Sequence, residues 1–241
     1  LDSIHALAQR AELRLIEDAA HAFGSTYQKR KVGSFGDIAC FSFDGIKNIT
    51  SGEGGCIVTD DPEVLRLVRD ARLLGVEKDS EKRCSGQRSW EFEVNRQGWR
   101  YHMSNVMAAI GIEQLKRFDE IAHKRRELAE CYVTQLEGST SIKLINHDYK
   151  EVVPHIFVVH LPSGVSREQV IAALNECNIQ TGIHYKPNHQ HALFRQEDHN
   201  PKPQTVTEEV FPSLLSFPLH EDLSFDDVKY AAEKVLEIID S

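Results

Sequence analysis

Three features that would assign this chain to other classes of protein are missing from its 241 residues. It has 28 Lys and Arg against 37 Asp and Glu, so the basic surface of a nucleic-acid-binding protein is not expected. No apolar run approaches the roughly 18 residues of a bilayer-spanning helix. The first residues, LDSIHALAQRAELRL, show no signal-peptide pattern. We therefore expect a cytoplasmic protein that binds neither nucleic acid nor membranes.

The cysteines and histidines do not form a recognisable metal site. The five cysteines are odd in number and include no CxxC pair, which favours reduced thiols in the cytoplasm. The segment HYKPNHQH contains three histidines, but it has no HExxH motif and no carboxylate at a familiar spacing. We predict no metal, and we expect a turn at Pro187 that carries polar residues toward a cleft.

Short apolar segments rich in β-forming residues predict three buried strands in the first part of the chain. They lie at residues 13–20, 37–43 and 54–60. Pro62, with Asp61 as its cap, then predicts a helix that stops at Gly75. Strands that are separated by loops and helices in this way predict an α/β layer with a largely parallel sheet.

A long helical pattern leads into a second part of different character. Apolar residues recur every three or four positions from about residue 104 to 137, and Gly138 ends the pattern. The later segments HIFVVHL, REQVIAALNECN and SFDDVKYAAEKVLEIID indicate a compact α+β unit. We predict a large domain over residues 1–125 and a small C-terminal domain over residues 126–241, linked by this helix.

The segment FSFDGIKNITSGEGGCIVTDD places a single lysine, Lys47, between an apolar strand and a glycine-rich turn. Lone lysines are usually solvated, but a nucleophilic amine must be neutral, and burial favours the neutral form. The glycines are not a nucleotide P-loop, because no Gly-Lys-Ser/Thr follows and the next element resembles a strand. Lys47 is therefore a candidate for covalent catalysis.

Other polar residues suit a ligand, although each has a structural alternative. Asp18 follows a predicted strand, where ligands collect in α/β sheets, but it could equally cap a helix or close a turn. His21 could be an ordinary loop histidine. The segment GWRYHMS either packs on the next helix or brings a cation to an anion. Together these groups fit pyridoxal phosphate, which has an aldehyde, a basic ring nitrogen and a phosphate.

Four segments carry a resemblance to a known family. IEDAAHAFGSTYQKRKVGSFGDIACFSFDGIKNITSGEGGCIVTDD closely resembles the sugar aminotransferases of the DegT/DnrJ/EryC1/StrS type. GWRYHMSNVMAAIGIEQL, TGIHYKPNHQHALF and LLSFPLHEDLSFDDV resemble later blocks of that family, in the same order. The resemblance implies the PLP-dependent transferase fold of aspartate aminotransferase type I, here as a partial large domain plus the small domain.

The family's N-terminal part, which has a Gly-Thr/Ser-Ala phosphate turn and a ring-stacking aromatic, has no counterpart in these 241 residues. A phosphate dianion needs several donors, such as backbone N–H groups at a helix N-terminus. We therefore expect these residues on their own to bind pyridoxal phosphate weakly. We also expect them to associate abnormally, because incomplete sheets expose edges and apolar faces.

The resemblance implies cofactor-binding roles for four positions near the front of the chain. Lys47 corresponds to the lysine that binds pyridoxal phosphate covalently. Asp18 matches the acid that pairs with the pyridine nitrogen. His21 stands where the family has Gln or His near the ring hydroxyl, and Ser42 matches a phosphate-binding serine.

Three later positions match blocks that the family uses for the partner subunit and the substrate. Arg100 lies in a block that resembles the loop reaching the phosphate of a partner subunit, although many members have Asn there. His184 and Tyr185 lie in the block that borders the sugar. These matches imply a homodimer with its sites at the subunit interface.

The implied reaction moves an amino group from an amino acid, expected to be glutamate, to a keto group of a nucleotide-linked deoxysugar. Lys47 would then act as the base that moves the proton. The product would enter surface polysaccharides or glycosylated metabolites. Two alternatives stay open: a PLP-dependent sugar dehydratase, which has histidine in place of the lysine, and a noncatalytic truncated module that only dimerises.

Overall fold

The computed structural model describes residues 1–76, 85–86, 92–197 and 205–240. The chain divides into two compact units, Leu1–Asp119 and Glu120–Ser241. Among the described residues, no helix is both long enough and apolar enough to cross a membrane.

The first unit contains a mixed three-stranded sheet. Strands β1 (Ile16–Asp18), β4 (Ile38–Ser42) and β5 (Gly55–Thr59) lie in the order β1-β4-β5. β4 is parallel to β1 and antiparallel to β5. The predicted strands are confirmed, but the expectation of a largely parallel sheet is wrong in this part of the chain. The reason is that β5 follows β4 through a turn without a crossover helix, which is how antiparallel neighbours are joined. A ribbon of β2 (Thr26–Tyr27) and β3 (Arg30–Lys31) lies between β1 and β4 in the chain.

The first unit buries less of its apolar surface than the sequence predicts. Ile16 of β1 is 63% exposed, and Ile57 and Val58 of β5 are also exposed. Helices α1 (Asp2–Arg10) and α2 (Pro62–Ala71) contain no buried residue. The prediction of buried strands is therefore wrong for β1 and β5, because both are edge strands and neither contains a buried residue within this unit.

Helix α2 begins as predicted and ends earlier than predicted. The carboxylate of Asp61 caps it by accepting hydrogen bonds from the backbone N–H groups of Glu63, at 2.8 Å, and Val64, at 3.3 Å. These bonds hold the pKa of Asp61 below its usual value. The helix stops at Ala71, before Gly75, because the following residues form backbone hydrogen bonds with residues 99–101.

The long helix predicted over residues 104–137 is two consecutive helices, α3 (Asn105–Lys116) and α4 (Phe118–Leu136). Between them Arg117 has φ −101° and ψ 6°, which interrupts the helical hydrogen bonding. The next residue, Phe118, is buried and contacts Phe23 edge-on, with ring centroids 4.9 Å apart. The break therefore coincides with an aromatic contact inside the first unit.

The second unit has the predicted α+β character and the larger core. Its antiparallel sheet has the order β6 (Lys143–Leu144), β7 (Phe157–His160) and β8 (Leu214–Phe217). The main helices are α4, α5 (Arg167–Glu176) and α8 (Phe225–Asp240), with short α6 (Ala192–Glu197) and α7 (Thr205–Val210). The fully buried core side chains include Leu128, Leu136, Val159, Leu174, Leu215, Val228 and Val235.

Two polar arrangements hold the second unit together. The buried Arg125 of α4 donates from one nitrogen to the carbonyls of Pro154, His155 and Leu219, at 3.1 to 3.3 Å. Burial lowers the pKa of this guanidinium, and the carboxylate of Glu221 lies 3.8 Å away. Those carbonyls lie before β7 and after β8, and because the two strands are antiparallel, with Phe157 paired to Phe217, they lie at the same end of the sheet. Arg125 therefore fixes α4 to that end.

At the start of α8, Ser224 and Asp227 form a reciprocal capping box. Asp227 Oδ2 accepts from the backbone N–H and the hydroxyl of Ser224, at 2.8 and 2.6 Å. Ser224 Oγ accepts in return from the N–H of Asp227 at 3.1 Å. The hydrogen bonds from Ser224 lower the pKa of the Asp227 carboxyl.

Candidate active site

Two of the predicted site residues end neighbouring strands of the first sheet. Asp18 is the last residue of β1 and is paired with Cys40 of β4, while Ser42 is the last residue of β4. Because β1 and β4 are parallel, their carboxyl ends lie at the same edge of the sheet. The structure therefore places Asp18 and Ser42 at the edge where α/β sheets bind ligands.

The exposed carboxylate of Asp18 closes the turn after β1, with Oδ1 accepting from the N–H of Ala20 at 3.1 Å. Within the described chain its second oxygen, Oδ2, has no hydrogen-bond partner. The structural and the ligand-binding interpretations of Asp18 are therefore compatible, since each can use a different oxygen.

Lys47 lies in the connection between β4 and β5, whose backbone is closed by its own hydrogen bonds. The N–H of Phe43 donates to the carbonyl of Gly54 at 2.8 Å, and the N–H of Ser51 donates to the carbonyl of Phe43 at 2.9 Å. Lys47 itself donates its N–H to the carbonyl of Asp44 at 3.0 Å. The half-buried lysine is thus carried by an ordered turn.

The side chains of Lys47 and His21 meet, with 2.8 Å between Nζ and Nε2. A lysine ammonium can only donate, so the imidazole nitrogen is the acceptor whenever the lysine is charged. The contact gives the amine a neighbouring proton acceptor. The sequence indicated both residues through the family resemblance, but it contained no signal for the contact itself.

Glycines in the Lys47 connection allow a close approach of backbone and side chains. A Cβ on Gly55 would lie 2.5 Å from the carbonyl oxygen of Phe41 on the neighbouring strand. Gly52 has φ +84°, which side-chain-bearing residues rarely adopt, and its Cβ position is 3.0 Å from the sulfur of Met107. The glycine-rich pattern thus serves the packing of this connection.

Arg100 lies in an extended segment next to α2. Its backbone pairs with Leu73, and the flanking rings of Trp99 and Tyr101 stack with centroids 6.0 Å apart. The Arg100 side chain is exposed, and within the described residues it makes no hydrogen bond or ion pair with Asp18, Ser42 or Lys47. The structure does not join Arg100 to the cluster at the sheet edge.

His184 and Tyr185 belong to the second unit. His184 Nδ1 lies 2.8 Å from Ser216 Oγ of β8, and the rings of His184 and Tyr185 are nearly perpendicular, with centroids 4.6 Å apart. Tyr185 is 54% exposed. Sequence reasoning missed Ser216, although a single hydroxyl within the apolar strand LLSF was a usable signal.

The thiols and the histidine-rich segment make separate contacts in the described residues. Cys40, Cys56, Cys131 and Cys177 are free, and Cys84 lies outside the described residues. Burial, with a smaller effect from Cys40, raises the pKa of the Cys56 thiol. His189 pairs instead with Glu208, at 3.2 Å, and the described ranges contain no group of three metal-ligating side chains.

Comparison with known proteins adds a family match over nearly the whole chain. The model of the DegT/DnrJ/EryC1/StrS aminotransferase family matches residues 1–236. The spore coat polysaccharide biosynthesis protein SpsC of Bacillus subtilis is 36% identical over 99% of this chain and 63% of its own length. The UDP-4-amino-4-deoxy-L-arabinose–oxoglutarate aminotransferase of Shewanella sediminis is 34% identical over 99% of this chain and 64% of its own length.

Solved structures of sugar aminotransferases have the same fold. Helicobacter pylori PseC, an aminotransferase of pseudoaminic acid biosynthesis, superposes with a TM-score of 0.89 at 27% identity, over 99% of this chain and 63% of PseC. The PLP form of the Streptococcus pneumoniae protein Spr1654, described as a putative sugar aminotransferase, gives a TM-score of 0.84 at 26% identity, over 95% and 58%. The chain thus spans somewhat less than two thirds of these relatives.

Proposed function

Because the chain belongs to the DegT/DnrJ/EryC1/StrS aminotransferase family, we propose that its protein is a pyridoxal-phosphate-dependent sugar aminotransferase. The amino donor is glutamate and the acceptor is the keto group of a UDP-linked deoxysugar. The observation that carries this proposal is the cluster at the sheet edge. There Lys47, which follows β4, contacts His21, and Asp18 is the last residue of the neighbouring strand β1. A relative named for oxoglutarate and a UDP-linked amino sugar supports these substrates.

The chemistry of the cluster fits the cofactor. When bound, pyridoxal phosphate supplies an aldehyde carbon and a protonated ring that accepts electron density. Lys47 would hold it covalently, Asp18 would keep a proton on the ring nitrogen, and Ser42 would donate its hydroxyl to the phosphate. An acid is required at the ring nitrogen, and Asp18 has a second oxygen available for it because the turn uses only Oδ1.

Lys47 and His21 would also handle the transferred proton. A neutral Lys47 amine takes the proton from the α-carbon of the donor amino acid as a general base. His21 Nε2, at hydrogen-bond distance from Nζ, orients the amine and accepts a hydrogen bond from it. The mobile proton is thereby kept within a two-residue network of the first unit.

The remaining assignments concern the sugar, the subunits and the cellular location. We assign His184 and Tyr185 to the sugar nucleotide and Arg100 to a phosphate held by a partner subunit in a homodimer. The exposed stacked rings beside Arg100 suit such an intersubunit contact. Free thiols among the described cysteines suit the cytoplasm.

The test uses the full gene product, with two measurements. The first is the amount of pyridoxal phosphate bound per chain, which separates an enzyme from a module that only dimerises. The second is the formation of 2-oxoglutarate from glutamate in the presence of UDP-linked 4-keto sugars, with dTDP- and GDP-linked keto sugars for comparison. We expect one cofactor per chain and turnover only with a keto sugar. A protein that binds the cofactor and forms no 2-oxoglutarate with any of these sugars would refute the proposal.

A further inference from the structure

The contact between His21 and Lys47 depends on how the segment that carries His21 is held. This segment, residues 19–25, follows β1 and stays tied to β4, because the buried Ala19 donates its N–H to the carbonyl of Cys40 at 2.9 Å. Backbone hydrogen bonds within the segment then close two consecutive turns. These bonds shape the segment itself, but they do not reach the connection that carries Lys47.

The ring of Phe23, two residues after His21, is surrounded by three other phenylalanine rings. Its centroid lies 5.5 Å from that of Phe41, 5.8 Å from that of Phe43 and 4.9 Å from that of Phe118. All three pairs meet edge-to-face, with interplanar angles of 81° to 86°, which is a favourable geometry for aromatic rings. Phe118 is 6% exposed, and no larger apolar side chain is buried in the described part of the first unit. The Phe23 ring is therefore fixed from three directions.

Two of these rings belong to the chain that leads into the Lys47 connection. Phe41 lies in β4 and Phe43 directly follows that strand. Both contact the ring of Phe23, so they lie on the same face of the strand. Phe43 also closes the connection through two backbone hydrogen bonds. The position of Phe23 is therefore coupled to the start of the turn that carries Lys47.

A hydrogen bond from Asn48 adds a second link between the two segments. Asn48 directly follows Lys47, is 4% exposed, and donates from Nδ2 to the carbonyl of Phe23 at 3.4 Å. Hydrogen bonds of this kind compensate a buried amide for its lost hydration. The residue next to Lys47 is thus joined to the residue two positions after His21.

We propose that Phe23 and Asn48 are positioning residues that set the separation between the imidazole of His21 and the amine of Lys47. The part that this pair plays in transamination rests on the proposed function. Together with the 2.8 Å contact, the two links close a ring that runs from Lys47 by way of Asn48 and Phe23. Because His21 is exposed, water competes for its ring nitrogen, and the two links keep the amine at hydrogen-bond distance.

The first arm of the test follows the His21 ring in the full gene product freed of pyridoxal phosphate, where the Lys47 amine is unmodified. ¹⁵N spectra of the histidine-labelled protein are recorded at one fixed pH, and the His21 signals are assigned with His21→Gln. Lys47→Met defines the Nε2 signal of His21 without its neighbour. We expect Phe23→Leu and Asn48→Ala each to move that signal toward its position in Lys47→Met.

The matched control for the first arm is Phe35→Leu. It removes a ring of the same unit that meets Tyr27 edge-on, with centroids 5.9 Å apart, and it should leave the His21 signal in place. Circular dichroism establishes which variants are folded, and Asn48→Ala decides if Phe23→Leu does not fold. A His21 signal that stays at its original position in the folded variants would overturn the proposal.

The second arm asks whether Phe23 acts through His21. Phe23→Leu should lower kcat for transamination about tenfold, since small displacements of reacting groups have effects of this size or larger. In a His21→Ala background the same substitution should change kcat by less than about twofold, because the contact that Phe23 supports is already absent.

Equal losses of kcat in the two backgrounds would show that Phe23 supports only the fold, and they would overturn the positioning role. An unaltered gene product without aminotransferase activity would refute the proposed function instead. In that case the ¹⁵N spectra would still decide whether Phe23 and Asn48 hold His21 beside Lys47.

Discussion

Nζ of Lys47 lies 2.8 Å from Nε2 of His21, although the residues are 26 positions apart in the sequence. The contact follows from the parallel pairing of β1 with β4. Each residue lies in the segment that leaves its strand at the same edge of the sheet. An amine and a proton acceptor are therefore brought together by the topology of two strands.

Lys47→Ala should abolish transamination, with a loss of roughly 10³-fold or more, because both the covalent link and the base are removed. Borohydride reduction followed by peptide mapping should find the cofactor on Lys47 in the unaltered protein and on no peptide of the variant. Lys116→Ala, which removes an exposed lysine of α3, is the control and should behave normally. A reduced adduct mapped to another lysine would contradict the assignment.

Asp18→Asn should keep the cofactor and lose most of the rate, by roughly 10²-fold, because an amide cannot stabilise a protonated ring nitrogen. Its carbonyl oxygen can still accept from the N–H of Ala20, so the turn should survive. The measurements are kcat and the absorbance of bound cofactor. Turnover close to normal in this variant would show that Asp18 only closes the turn.

Arg125→Met should destabilise the second unit by about 3 kcal/mol, because three backbone carbonyls lose their donor and Glu221 loses its cation. The measurement is denaturant unfolding followed by circular dichroism. Arg126→Met, which removes one hydrogen bond to the carbonyl of Val152, is the control and should cost about 1 kcal/mol. Equal losses of unfolding free energy in the two variants would show that the buried contacts of Arg125 contribute little to stability.

The capping box of α8 should make stability dependent on pH. The pKa of Asp227 is lower in the folded state than its ordinary value. The stabilisation that its ionised carboxylate gives to the folded state is therefore complete above the ordinary Asp pKa, and it is lost as the pH falls below about 4. Asp227→Asn should therefore lower Tm at pH 7, and the difference should shrink as the pH approaches 3. Asp226→Asn, at a carboxylate that is 90% exposed, is the control. A Tm difference that does not change with pH would contradict the prediction.

Gly55→Ala should destabilise the first unit by about 2 kcal/mol, because the added Cβ would lie 2.5 Å from a backbone oxygen of β4. The same clash should disturb the turn that carries Lys47 and weaken cofactor binding. Gly138→Ala meets nothing within 4 Å and should change stability by less than about 0.5 kcal/mol. Thermal unfolding and cofactor absorbance provide the two readings. A Gly55→Ala protein that resembles the Gly138→Ala control in both would contradict the clash.

Local patterns in the sequence were sufficient for most of the elements. The strand at 37–43 and the helix capped by Asp61 were predicted because their signals are short-range: apolar runs, a capping carboxylate and a proline at the first helical position. The expectation of a largely parallel sheet holds for β1 and β4 and fails for β5, since strand direction depends on the connection between strands. The single long helix was also an error, because the break at Arg117 coincides with the burial of Phe118 against the distant Phe23.

The candidate site was predicted in part. The setting of Lys47 indicated a reactive amine, and the resemblance supplied roles for its neighbours. The distance from Lys47 to His21 and the contact between Ser216 and His184 depend on strand pairing across long sequence separations, which local patterns do not encode.

The pairing of Ser42 with Gly55 constrains where this chain can change its length. Because β4 is hydrogen-bonded on both sides, one residue inserted within β4 would turn the following side chains to the opposite face of the sheet. One residue inserted in the turn between the paired ends would move Lys47 relative to His21. Loops at Gly138 and Gly164, where a Cβ would meet nothing within 4 Å, are free of both constraints. Protein engineers who want to add a tag or a linker should place it in those loops and keep residues 38–59 at fixed length.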